Sequence, residues 1–214
     1  MESLSYHLRR EGEGLRERIG VRVLIVHVAI VAVFGVLFPL LRGNIFLDPV
    51  VTAAYACLGV LFAGPAVAQG FGLERPRTMN EALARILMGV AYGEMMTILI
   101  LLAGFMTVYT TRRYAFAPDL GALLLAGFLG LTASFAMGAV AAWMTLRVSA
   151  ASARRVMRVF FLFLLFLFFF RSASLTDLAG EGVLVSLLIA AGALYGLRRE
   201  VARPGQTSTG QTST

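Results

Sequence analysis

The stretch "ERPRTMNEALARILMGVAYGEMMTILILLAGF", Glu74 to Phe105, changes character halfway along. Its first half carries Glu74, Arg75, Arg77, Glu81 and Arg85, whereas beyond Glu94 no charged residue occurs until Arg112. Thr78 or Asn80 can cap a helix at its start, with Glu81 in the first turn. Met79, Leu83, Ile86 and Leu87 then share one helical face. The pattern predicts a short amphipathic helix at a membrane surface, joined directly to a spanning helix at roughly 92–109. Glu94 stands where that span begins. A carboxylate deep in lipid is costly, so Glu94 is expected at the interface or facing protein. An ordinary interfacial loop helix carries the same pattern, so the pattern alone assigns no role.

The rest of the chain belongs to the same class. Of 214 residues, 58% are hydrophobic and only 14% charged, with a mean hydropathy of +0.80, far from the polarity a soluble domain needs. The apolar runs are continuous, which excludes the alternating pattern of a membrane β-barrel. The expected fold is all-α, a polytopic integral membrane protein with six transmembrane helices. The spans are placed at 23–41, 49–71 with a kink at Gly64-Pro65, 92–109, 120–146, 156–170 and 182–197. The first run has no small-x-small cleavage pattern at its outer end and reads as a retained helix. The fifth is tightly framed by Arg158 and Arg171. Its helix from Val156 to Ser172 covers about 25 Å if Arg154, Arg155 and Arg158 snorkel to the headgroups.

Three domains follow: an arm over 1–22, the six-helix region over 23–200, and a polar tail over 201–214. The arm places Leu4, Leu8, Leu15 and Ile19 near helical spacing among Arg and Glu, as an amphipathic surface helix would, although Gly12 and Gly14 weaken it. The tail repeats QTST, offers no apolar face and is expected to be disordered.

All 19 basic residues are arginine, and 15 of them fall on the side of the termini. That bias places both termini in the cytoplasm of a bacterial-type cell, with the chain in the cytoplasmic membrane. Asp48, Asp119, Asp177 and Glu181 offset the outer arginines, so the net charge of +7 lies on the inner face, where anionic lipids attract it. Nucleic-acid binding is not needed to explain the charge and is not expected.

The chain holds little chemistry of its own. Without lysine there is no GxxxxGK[ST] phosphate loop, so any ATP hydrolysis belongs to a partner. Two histidines, His7 and His27, and one cysteine, Cys57, make no metal or haem set. His27 reads as an inward-facing, hydrogen-bonded residue and Cys57 as a small buried hydrophobe. No cofactor, metal or catalytic residue is expected, and the chain is not read as an enzyme. Gly130, Ser134, Gly138 and Ala142 recur every four residues, a small-residue face for close helix packing within the bundle or between copies.

The opening stretch resembles the coupling region of the type-2 class of ABC exporter permeases. The matching residues are Glu74, the run Thr78 to Leu83 with Glu81, and "GVAYGE" from Gly89 to Glu94. "MTLRVSAASARRVMRVFFLFLLF" and "LYGLRREV" are similar to the family's entry into its fifth span and its exit from the sixth. Gly89 stands where the family usually has proline, and Leu99 where it often has lysine. The resemblance implies the permease subunit of an ATP-driven exporter for a hydrophobic or amphipathic substrate. It further implies an ATP-binding cassette subunit on the cytoplasmic face and a second permease half, as a homodimer or heterodimer. Glu74, Asn80, Glu81, Leu83, Arg85 and Glu94 would form the coupling element to the ATPase. The competing reading is a non-catalytic accessory subunit of a larger membrane complex.

Overall fold

A computed structural model describes residues 3–18, 21–42, 48–112, 120–149, 151–153, 155–157, 159 and 175–202. Every regular element among them is helical: α1 Leu4–Arg18, α2 Val21–Ala32, a π-helical turn Val33–Leu37, α3 Phe38–Arg42, α4 Pro49–Ala56, a 3-10 turn Cys57–Gly59, α5 Val60–Leu73, α6 Met79–Arg112, α7 Leu120–Arg147 and α8 Leu175–Ala202. Five stretches are long and apolar enough to cross a membrane: Leu24–Leu41, Val51–Leu73, Met79–Thr111, Leu120–Arg147 and Ala179–Ala202. They coincide with the first four expected spans and the sixth. The expected fifth span lies outside the described residues beyond its first turn, and so does the tail from 203 onward.

Burial orders the bundle. Among the described residues Val51–Leu73 is the most buried of these stretches and forms the centre, whereas Leu24–Leu41 and Ala179–Ala202 are the least buried and form the margins. α6 and α7 flank the central helix. Small residues permit this: a Cβ at Gly93 would lie 2.6 Å from the Gly59 carbonyl, and one at Gly130 would overlap the carbonyl of Ala56. Such backbone-to-backbone approach is how helices pack where no water drives them together. On the far side of α7, α8 runs parallel to it at constant register, with Leu129 against Gly182, Trp143 against Gly196, and Arg147 bonded to Glu200.

α2 is held by its own irregularity. Pro39 has no N–H to give the Gly35 carbonyl, and in the π turn the N–H of Phe38 bonds Val33 instead of Phe34. The two freed carbonyls are capped from neighbouring helices: the Tyr55 hydroxyl donates to Phe34 O at 2.7 Å and the Thr107 hydroxyl to Gly35 O at 3.1 Å. Irregular helices persist in apolar surroundings only where neighbours satisfy the backbone in this way.

Two local expectations change. The amphipathic start and the third span are one uninterrupted helix of 34 residues, because no proline and no unpaired cap divides them at Gly89 or Gly93. Around Gly64-Pro65 the irregularity sits upstream, in the 3-10 turn Cys57–Gly59, while α5 continues through Pro65. In the arm, α1 runs through Gly12 and Gly14, and Gly12 abuts Met88 of α6, so tertiary contact offsets the weak local propensity.

Candidate functional site

Two polar clusters stand out in an otherwise apolar molecule. The first closes one end of the bundle around Arg85, whose side chain is 1% exposed. Thr78 caps α6 by accepting the Glu81 N–H at 3.2 Å, and Glu81 reaches back to accept the Arg77 N–H at 2.8 Å. This near-capping-box geometry aims the Glu81 carboxylate along the first turn, one turn below Arg85. Arg85 donates to Glu81 at 2.7 Å and to Glu11 of α1 at 2.8 Å. It also bonds the carbonyls of Gly70 and Glu74, approaches the Glu74 carboxylate at 3.5 Å, and lies over the Phe71 ring. Arg10 reaches the same Glu74 carboxylate at 3.5 Å.

The network extends across the end of the bundle. Arg75 donates to the Glu200 carbonyl at 3.0 Å, and Arg147 bonds the Glu200 carboxylate at 3.0 and 3.2 Å while stacking over Trp143. One plate of charge thus joins α1, the α5–α6 loop, the start of α6 and the ends of α7 and α8. Its forked guanidinium bonds to carboxylates fix direction as well as distance.

The second cluster lies inside the bundle. Glu94 and Thr97 of α6 and Ser134 of α7 converge on Gly59 in the 3-10 turn. A Cβ at Gly59 would lie 2.7 Å from Glu94 Oε1, 2.8 Å from Ser134 Oγ and 3.0 Å from Thr97 Oγ1. Thr97 donates to the Gly93 carbonyl. Ser134 is close enough to act on the Glu94 carboxyl, yet no bond of standard geometry joins them: both Glu94 Oε1 and Ser134 Oγ are fully buried without a partner among the described residues. Nearby, the Tyr92 hydroxyl meets His27 Nδ1, and His27 packs edge-on against Phe62.

The structure therefore divides the sequence-derived residues. Glu74, Glu81 and Arg85 come together. Glu81 and Arg85 are buried behind the plate, while Glu74 is exposed and Asn80 and Leu83 are partly exposed on its outer side. Glu94 belongs to the interior cluster, its carboxylate turned into the bundle. Gly130, Ser134, Gly138 and Ala142 are all buried, facing the centre of this chain. Cys57 is buried and forms no disulfide. The sequence reading missed Glu11, Glu200, Gly59 and Thr97. The Glu81–Arg85 spacing was a visible local signal, but nothing local connects Glu11 to Arg85 or Gly59 to Glu94. No family model, curated protein or solved structure matches this chain.

Proposed function

We propose that this chain is an integral membrane permease subunit of an ATP-driven exporter, with ATP hydrolysed by a separate subunit docked at the charged end of the bundle. The observation that supports it is the Arg85 hub. It ties α1, the α5–α6 loop and the first turn of a 34-residue helix into one unit. Force applied at the surface formed by the exposed Glu74 and Arg77 and the partly exposed Asn80 and Leu83 would move α6 as a lever through the full depth of the bundle. Both termini then lie on the cytoplasmic side, and the apolar margins formed by α2 and α8 meet lipid or a second permease half. The substrate path runs between two halves and suits a hydrophobic or amphipathic molecule. With no lysine, the chain has no phosphate loop, so the energy source must be a partner.

The test is purification from native membranes in mild detergent. An ATP-binding subunit is expected to co-elute, and Leu83→Arg is expected to release it while the chain keeps its thermal unfolding profile. If cofactor-bearing subunits co-elute in its place, the chain is an accessory subunit of another complex. Export that survives Leu83→Arg unchanged also ends the coupling reading.

A further inference from the structure

α2 and the turn that follows it meet α6 firmly at two levels and stand off from it between them. At the level far from the charged plate, the π-helical turn Val33–Leu37 is fixed in place. A Cβ at Gly35 would lie 2.7 Å from that of Ala103, the Thr107 hydroxyl donates to Gly35 O at 3.1 Å, and the Tyr55 hydroxyl donates to Phe34 O at 2.7 Å. At the other level, about 16 Å nearer the plate along α6, the Tyr92 hydroxyl meets His27 Nδ1. Among the described residues this is the one side-chain hydrogen bond between segment 24–32 and the rest of the bundle. Along the stretch between, a groove of about 630 Å³ runs between the helices, lined by Leu24, Val28 and Val31 of α2 and by Met95, Leu99 and Leu102 of α6. Interdigitated helix faces leave few voids larger than a water molecule, so these two faces are not packed into one another.

The turn has what a pivot needs. Two successive carbonyls, those of Phe34 and Gly35, are held by hydroxyls from α4 and α6, so the chain can change direction there without baring its backbone to an apolar medium. Sharp bends in helices concentrate at π turns and at proline, and Pro39 follows this one. The segment on the plate side of the turn is held far less firmly. On its other flank it leans on Phe62 through His27 and on the core through Ile30, apolar contacts of the kind that slide in shear motions. Widening the groove also costs little in a bilayer, because lipid tails are as apolar as the side chains they would touch. We propose that Val21–Ala32 is a strap hinged at the π turn, with the His27–Tyr92 bond as its catch. With the catch made, the groove has the width seen here. With the catch released, the strap swings away from α6 and the groove opens sideways to the apolar chains of the membrane. The strap is separate from the charged end plate and does not depend on what docks there.

The experiment uses the full chain in nanodiscs, carrying Cys57→Ala and spin labels attached through Val28→Cys and Leu99→Cys, one on each exposed wall of the groove. Pulsed EPR is expected to resolve two distance populations for this pair. A control pair beside the pivot, Leu37→Cys with Thr110→Cys, both exposed, should give one. His27→Phe keeps an aromatic ring on Phe62 but cannot bond Tyr92. It should shift the 28–99 ratio toward the longer distance by about 3- to 20-fold, the range that single hydrogen bonds between membrane helices supply. The 28–99 pair with His27 intact reads the motion directly, so a His27 variant that fails to fold does not blunt the test. One narrow population at 28–99 overturns the strap. Two populations at the control pair overturn the pivot, and a ratio unmoved by His27→Phe overturns the catch.

Discussion

Arg85 and Glu94 lie about two and a half turns apart on one helix, and the fold treats them in opposite ways. The guanidinium of Arg85 is sealed from solvent but surrounded by Glu11, Glu81, Glu74 and two carbonyls. Oε1 of Glu94 is turned into the bundle and has hydroxyl neighbours but no cation among the described residues. The difference teaches that burial of a charged group has two meanings. Around Arg85 every donor finds an acceptor and the charge fixes geometry, whereas Glu94 is accommodated beside hydroxyl groups and a glycine.

The comparison is sharpened most by removing its satisfied member. Arg85→Leu removes the cation that faces the buried Glu81 and should cost about 3–5 kcal/mol, because breaking a buried ion pair leaves its partner uncompensated. Reversible unfolding in mixed micelles measures it, and a loss below about 1 kcal/mol on the scale of exposed pairs would show that the plate is not the clamp described here.

An intermediate effect comes from the packing that brings Ser134 to Gly59. Gly130→Val forces side-chain atoms into the Ala56 carbonyl. Overpacking of this kind costs about 1–3 kcal/mol. The same unfolding assay reads the loss, and cysteine cross-linking between α4 and α7 should report their separation. Wild-type stability with an unchanged cross-link would place α7 elsewhere. The smallest effect belongs to Arg9→Ala. Arg9 meets Glu13 at 3.5 Å with both side chains largely exposed. An i,i+4 surface pair contributes about 0.3–0.5 kcal/mol. A larger loss would mean that the plate extends along the outer face of α1.

Some of this was legible in residue order. Thr78, Glu81 and Arg85 announce a capped turn and an i,i+4 pair, and both form. The small residues of α7 announce close approach, and Gly130 makes it. Glu11 was out of reach of such reasoning, because its partner lies 74 residues away on a helix with no matching local signal. Gly59 was equally silent, being one of many small residues in an alanine-rich run.

Composition and continuous apolar runs by themselves determined that the described chain is helical and where five long apolar helices lie, since a backbone without water must bond within its own segment. They also determined that no phosphate-loop chemistry resides in this chain. Which acidic side chain meets an arginine and which meets hydroxyl groups was decided only by tertiary structure. That choice depends on which helices meet at one point, and helix contacts are set by packing between segments far apart in the chain. Glu81 and Glu94 look alike as letters beside a hydrophobic run. One faces an arginine and the other packs against a glycine beside two hydroxyl groups, and only the folded bundle separates them.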